Sequence, residues 1–312
     1  MGATVAQNVL DAAGPQAMRL EHLWWVMFWV CTAVFISVIA VAALAVRRKT
    51  DRLTSAATLT RAVGIAVVST SVILLGFVVM SFWTARAVAS TVDSGAVTIN
   101  VTGHQWFWNI EYVDPNPSLR VTTANEIHIP TGRPVVINLT SRDVIHSFWV
   151  PNLHGKKDLV PGYVTSIWLQ ADRPGVYRGQ CAEFCGLQHA RMAFYVTAED
   201  DATYKRWLSA ERQPAAEPNT DEGRRGQEVF LRSTCIQCHT IRGTIAGGAV
   251  GPNLTHVGSR GTVGAGTLPN TLEHIQRWVR DPQENKPGTR MPPIQMPDDD
   301  LRALTAYLES LK

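Results

Sequence analysis

The chain has 312 residues, of which 46% are hydrophobic and 18% charged, and its 29 basic and 26 acidic side chains give a formal charge of +3. That length exceeds what one hydrophobic core usually organises, so two or more folding units are expected. The basic residues are scattered rather than gathered into a stripe, which gives no signal for nucleic-acid binding.

Residues 1–21 read as a short exported segment without a hydrophobic signal of its own. From Leu23 to Val46 there are 24 residues without a charge, enough to cross a hydrocarbon core of ~30 Å at ~1.5 Å per residue. Ala62 to Ala85 is a second such run, and residues 22–90 are predicted to form a transmembrane hairpin. The first run is too long, starts too late and lacks the small-residue cleavage pattern of a removed signal peptide. Between the runs, Arg47, Arg48, Lys49, Arg52 and Arg61 outnumber the single acid Asp51, which places the connector in the cytoplasm by the positive-inside rule. Both ends of the hairpin then face outward, and everything after Arg86 lies in an oxidising compartment such as a periplasm. Cys31, inside the first run, reads as a small buried hydrophobe.

Residues 91–208 change character, with β-branched and aromatic runs at 96–102, 133–140 and 163–169 separated by Pro, Gly and Asn turns. That rhythm predicts a β-sandwich or barrel. Residues 209–222, SAERQPAAEPNTDE, have neither apolar periodicity nor aromatics and read as an exposed linker. Residues 223–312 carry helical patterns at 226–231, 271–279 and 298–311, the last with an acidic first turn, so this domain is predicted to be all-α.

Cys181, Cys185, His189 and Met192 fall in one short stretch, CAEFCGLQHARM, and His146 lies 35 residues upstream of the first cysteine. Two thiolates, two imidazoles and a thioether make a soft donor set suited to copper. A disulfide between the cysteines and a Cys2His2 zinc site are the alternatives, but neither uses Met192, and zinc carries no electrons. A mononuclear blue-copper site needs only one cysteine, so the second makes two coppers plausible.

Cys235-Ile-Gln-Cys-His239 is the C-x-x-C-H pattern of covalent c-type haem attachment, in which two thiols on one turn bond the haem and the next histidine binds iron. A redox-active C-x-x-C would need a βαβ context that the neighbouring sequence lacks. Gly251 to Leu254 and Pro287-Gly-Thr-Arg-Met-Pro292 follow downstream.

HSFWVP at 146–151, GKKDLVPG at 155–162 and CAEFCGLQHARM at 181–192 resemble the CuA domain of cytochrome oxidase subunit II, and residues 223–312 resemble a class I cytochrome c. Together the expected architecture is a multidomain membrane protein: a two-helix transmembrane hairpin, a cupredoxin domain and an all-α cytochrome c domain, as in the caa3-type arrangement. The resemblance implies a dinuclear copper CuA bridged by Cys181 and Cys185. His146 and His189 would bind one copper each, with Met192 and the main-chain carbonyl of Glu183 completing them. It also implies a magnesium or manganese ion on the Glu183 carboxylate, Trp106 in the aromatic segment GHQWFWNIEY as the point where electrons arrive, and Met291 as the second axial ligand of haem c. Met296 is the rival, and Met291 is preferred for its Gly-x-x-Met-Pro setting. His256 and His274 read as packing or surface residues.

The function so implied is electron input to a proton-translocating cytochrome c oxidase of the bacterial inner membrane. Oxygen would be reduced in subunit I, with subunit III as a further partner and a soluble cytochrome c or upstream respiratory complex as donor. The resemblance leaves two alternatives, the electron-input subunit of a CuA-containing nitric oxide reductase and a membrane-tethered electron carrier. Nitrous oxide reductase is disfavoured by the hairpin, and quinol oxidase subunit II by the retained copper ligands. One departure is that Thr50 to Arg61 has no glutamate before the second helix, so no proton-uptake residue is assigned.

Overall fold

The computed structural model describes residues 4–47, 55–89 and 96–312. Arg48, Lys49, Asp51 and Arg52, on which the cytoplasmic assignment of the connector rests, lie outside the described residues. The chain divides into two units, Gln16–Ser90 and the remainder, each taken by itself below.

The first unit is a pair of helices, α1 (Pro15–Arg47) and α2 (Ala56–Val88), of 33 residues each. Their most apolar windows have a mean hydropathy of 2.5, long and apolar enough to cross a membrane. Arg19, near the start of α1, donates from Nη1 to the Ala87 carbonyl at the end of α2 (2.6 Å), which fixes the two as an antiparallel hairpin. Trp24, Trp25 and Phe28 cluster at that end of α1, with Phe82 and Trp83 at the matching end of α2. Amphipathic rings of this kind concentrate at the membrane–water boundary.

In the second unit a short strand β1 (Thr4–Val5) precedes the sandwich proper. One sheet contains β2 (Val97–His104), β3 (Phe107–Tyr112), β4 (Val121–Ala124), β6 (Val135–Ser141) and β9 (Thr165–Leu169), in the order β4-β3-β2-β6-β9. The other contains β5 (Glu126–Pro130), β7 (His146–Trp149), β8 (Lys157–Leu159), β10 (Gly175–Cys181) and β11 (Ala193–Glu199), in the order β5-β11-β10-β7-β8. The runs that alternate in the sequence alternate in burial: Val135, Ile137 and Leu139 of β6 and Trp108 and Ile110 of β3 are fully buried, while their neighbours are partly exposed. Trp108 meets Phe148 and Phe194 edge-on at 6.1 and 5.1 Å, closing the core beneath β7.

Helix α3 (Asp201–Glu211) closes this sandwich, and the haem-motif domain follows as α4 (Asp221–Arg232), α5 (Cys235–Cys238), α6 (Leu272–Arg280), α7 (Pro282–Asn285) and α8 (Asp298–Ser310). A two-stranded hairpin, β12 (Thr262–Val263) with β13 (Leu268–Pro269), interrupts it. Side chains cap the helices where the sequence supplies Ser, Thr or Asp: Thr220 Oγ1 accepts from Gly223 N, and Thr271 Oγ1 from His274 N. Phe230, Leu301, Leu304, Tyr307 and Leu308 form the core between α4 and α8.

Two stretches differ from the sequence reading. Residues 209–222 contain the end of α3 and the start of α4, and Ala215 N between them donates to the Arg242 carbonyl (2.9 Å), so the connection is fastened to the haem-motif domain. Main-chain hydrogen bonds fasten it, and these leave no mark on hydrophobic periodicity. The N-terminal segment is likewise part of the sandwich. Its β1 pairs parallel to β10, and the fully buried Asn152 donates from Nδ2 to the carbonyls of Ala6 (3.2 Å) and Asp11 (2.9 Å). Asn152→Leu removes both of these hydrogen bonds, each contributing about 0.5–1.5 kcal/mol. The expected outcome is faster deuterium exchange confined to residues 6–13 and to β10.

Candidate metal and haem site

Strand β7 presents His146 and β10 ends on Cys181, on neighbouring strands of one sheet. The chain then loops through Cys185 and a short 3-10 turn, His189–Arg191, and re-enters the sheet at β11 just after Met192. This brings the sulfur-rich set into one buried cluster. Cys181 Sγ lies 3.7 Å from Cys185 Sγ, 3.8 Å from His146 Nδ1 and 3.2 Å from the Glu183 carbonyl. Cys185 Sγ lies 3.6 Å from His189 Nδ1 and 3.8 Å from Met192 Sδ. A disulfide would hold the sulfurs at ~2.05 Å, and at 3.7 Å both remain free to act as ligands.

The electrostatics of the cluster favour a cation. A hydrogen bond from Cys185, against the opposing effect of burial, pushes the Cys181 thiol down to about 3. The same hydrogen bond, with burial, pushes Cys185 up, because a second thiolate beside the first is repelled. The pair therefore prefers one negative charge until a cation stabilises the second. Burial opposes protonation of His146, but its hydrogen bonds with Cys181 and Asp143 outweigh that and raise it. Its Nε2 donates to Asp143 Oδ1 (2.8 Å), a tautomer inferred from that bond, which turns Nδ1 toward the sulfurs. Gly103 leaves room for the ring: a Cβ there would lie 2.7 Å from His146 Cδ2. Glu183 directs its carbonyl to Cys181 and its carboxylate outward, 3.9 Å from Lys156 Nζ.

The second pocket has a volume of ≈ 440 Å³ and is lined by Cys235, Cys238, His239 and Met291, with apolar walls from Phe230, Leu304 and Leu308. His239 Nδ1 donates to the Pro252 carbonyl (2.7 Å), which leaves Nε2 free toward the cavity, and burial lowers the ring's pKa so that it stays neutral. A Cβ on Gly251 would meet His239 Cε1 at 2.6 Å, so only glycine lets the chain pass the ring. Arg260 Nε and Thr262 Oγ1, on the cavity wall, are buried without a partner, as suits a flat apolar group carrying carboxylates. These features fit a haem. Met296 is not at this cavity but packs on the core of the domain. His256 has its ring nitrogens 3.1 Å from the Gln213 carbonyl and 3.3 Å from the Lys312 carbonyl, and His274 sits at the start of α6.

The two pockets share a wall. His104, Gln105, Trp106 and Phe107, from the sandwich, line the haem-motif cavity. On its other side Trp106 donates from Nε1 to the Cys185 carbonyl (2.9 Å), which also accepts from Gln105 Nε2 (2.8 Å). The loop carrying Met291 lies on the loop carrying Cys185 to Met192. Gln188 Nε2 donates to the Pro287 carbonyl (2.6 Å), Arg191 to the Asn285 carbonyl, and Lys286 Nζ to the Trp106 carbonyl (2.7 Å), while Arg290 stands 3.7 Å from Asp143. Burial pushes the Lys286 amine down to about 7. Sequence reasoning missed Asp143, Gln188, Arg191, Arg260 and Lys286. Asp143, three residues before His146, was within reach as the carboxylate a metal-binding histidine often needs. The others meet partners in another domain.

Two helices long and apolar enough to cross a membrane, a sandwich with a buried thiolate and imidazole cluster, and a cavity that fits a c-type haem define a membrane-anchored protein with a copper site and a haem site. Residues 97–199 match the family described as cytochrome C oxidase subunit II, periplasmic domain, and residues 223–312 match cytochrome c. Cytochrome c oxidase subunit 2 of Alkalihalophilus pseudofirmus is 42% identical over 222 residues, 71% of this chain and 63% of that protein. The Bacillus sp. (strain PS3) protein of the same name is 34% identical, over 70% of this chain and 64% of its own. A solved periplasmic domain of subunit II of cytochrome oxidase from Bradyrhizobium japonicum is 27% identical and covers 39% of this chain and 97% of its own, with a TM-score of 0.36. The chain spans just under two thirds of the length of these curated relatives. Its residues 97–199 belong to the family of the cytochrome c oxidase subunit II periplasmic domain and its residues 223–312 to cytochrome c, the two fused in one chain.

Gly103→Ala drives a methyl group into the His146 ring. The expected outcome is a fall in copper affinity of about tenfold or more, the scale of misplacing a ligand's support. Copper retained against a graded chelator would check this, with haem content unchanged.

Proposed function

We propose that this chain is the electron-input subunit of a respiratory cytochrome c oxidase, passing electrons from its own haem c to a dinuclear copper centre and on to subunit I. The single observation that carries the reading is the shared wall: Trp106 lines the cavity of Cys235, Cys238 and His239 and hydrogen-bonds the carbonyl of Cys185. Copper between the two cysteines and haem on the C-x-x-C-H turn would supply one-electron storage at the two ends of this path.

Each residue then has a role set by its position. Cys181 and Cys185 would both hold the copper centre, since their sulfurs converge at 3.7 Å. His146, held by Asp143, and His189 would each take one copper, with Met192 and the Glu183 carbonyl as the weaker donors. A centre of two coppers would supply one-electron storage while asking little rearrangement of these ligands. His239, fixed by Pro252, and Met291 would hold the haem iron, and a thioether paired with an imidazole would give it a higher reduction potential than two imidazoles. The outward carboxylate of Glu183, which faces Lys156 Nζ at 3.9 Å, would share a magnesium or manganese ion with subunit I.

Oxygen reduction, proton translocation and the contacts with subunits I and III belong to the assembled complex. The reading places that complex in a bacterial inner membrane, with both redox domains on the periplasmic face and a soluble cytochrome c or upstream respiratory complex as donor.

Metal and haem analysis of the copper- and haem-loaded chain tests the proposal, with its electron paramagnetic resonance spectrum. Two coppers and one covalent haem per chain, with hyperfine splitting from two equivalent copper nuclei, are expected. One copper, zinc or an ordinary mononuclear pattern would overturn the dinuclear assignment. Trp106→Leu removes both the ring and its bond to Cys185. Haem-to-copper transfer, followed optically after rapid haem reduction, is expected to slow by about 10²-fold, the scale of losing an oriented contact, with copper and haem contents unchanged.

A further inference from the structure

We propose that Lys286 is a positioning residue for transfer between the two pockets: its amine fastens the main chain of Trp106, and with it the indole that separates the haem cavity from the Cys185 carbonyl. The proposal rests on the electron-input reading and adds to it the device that fixes the junction. Electron balance is simple: one electron leaves the haem iron and one arrives on the copper pair, with no bond made or broken and no proton moved.

Lys286 is 1% exposed, in a side-chain type that is almost never fully buried unless paired with a carboxylate. Its partners are instead two main-chain carbonyls from different domains, Trp106 of the sandwich (2.7 Å) and Gly264 of the haem domain (2.9 Å). The flanking residues are engaged from the copper side as well, Asn285 by Arg191 and Pro287 by Gln188. Three consecutive positions of the haem domain, 285 to 287, therefore bond the sandwich through two acceptors and one donor. Trp106 is held at both ends, by Lys286 at its carbonyl and by Cys185 at its indole nitrogen. An apolar side chain of similar length would fill this space without a desolvated amine, and such replacements are often neutral or stabilising. Fold stability therefore does not account for a lysine here, whereas a fixed orientation of Trp106 does.

The test uses the full chain loaded with copper and haem, as wild type, Lys286→Met and Lys286→Gln. Methionine keeps the bulk and removes the donors, while glutamine keeps two N–H donors without the charge. Two quantities are read: deuterium exchange in peptides covering 103–108 and 283–291, and the rate of haem-to-copper transfer after haem reduction by a small ruthenium-ammine donor. In Lys286→Met, exchange in both peptides is expected to rise by about tenfold as the junction opens locally. Transfer is expected to slow by about tenfold or more, as an ångström-scale misplacement would produce. The rate of haem reduction by the donor and the copper hyperfine pattern stay as in wild type, and Lys286→Gln recovers part of both losses. Wild-type exchange and transfer in Lys286→Met would overturn the proposal. So would loss of haem or copper from either variant, because a latch between pockets is not needed to load either one. If the wild-type chain passes no electron from haem to copper, the electron-input reading fails instead, and the exchange measurement still decides whether Lys286 is the latch.

Discussion

Two sulfurs held 3.7 Å apart in a buried pocket cannot both ionise unless a cation lies between them, and much of this structure follows from keeping them there. Cys181 is fixed by the last position of β10, and Cys185 by a loop whose Gly186 has φ +106, a conformation that favours glycine. The Cys185 carbonyl is then tied by Gln105 and Trp106, so the loop is held by the opposite sheet as well as its own. His146 completes the enclosure because Asp143 binds its outer nitrogen and Gly103 leaves its ring unobstructed. The sandwich therefore serves as a rigid frame that spreads the support of this charge arrangement over several contacts, Gln105 holding the Cys185 carbonyl alongside Trp106.

The same supports reach the second pocket, so the two centres are not independent modules joined by a tether. Asp143 binds His146 on one side and faces Arg290, the neighbour of Met291, on the other. Trp106 likewise serves both pockets. Further contacts away from the pockets keep the domains in register: Gly261 N donates to Glu126 Oε1 (2.8 Å), and Ala193 N to the Ala265 carbonyl (3.0 Å). Many polar contacts of modest individual strength suit an interface whose value lies in geometry rather than adhesion.

How much of this was legible in the sequence depended on the distance along the chain over which each feature is encoded. The apolar runs, the alternation of strands such as β6 and the clusters at 181–192 and 235–239 are local, and each constrains its own surroundings. The choice of Met291 over Met296 followed from its Pro-Gly neighbours, and only Met291 lines the cavity. The pairing of Lys286 with Trp106 spans 180 positions, and nothing in either neighbourhood records the other. Asn152 and the N-terminal segment are hidden for the same reason, and the stretch between α3 and α4 because its anchor is a main-chain bond.

Fusing a cytochrome to a copper domain removes the search for a partner but makes the docked geometry permanent, so any error in it becomes a fixed loss of rate. A freely diffusing donor can sample many poses and react from the best, whereas a fastened one has a single pose that must be good. That is the setting in which a buried, carboxylate-free lysine is worth its desolvation: two short bonds to main-chain carbonyls define distance and angle more sharply than apolar packing does. The arrangement also covers the ring at the junction. Trp106 is 9% exposed, enclosed between the haem-motif cavity and the Cys185 loop, so its ring is approached through these two domains rather than from solution. If the chain passes electrons as proposed, an external donor would meet the surface of residues 223–312 first, and the copper domain would set the onward step.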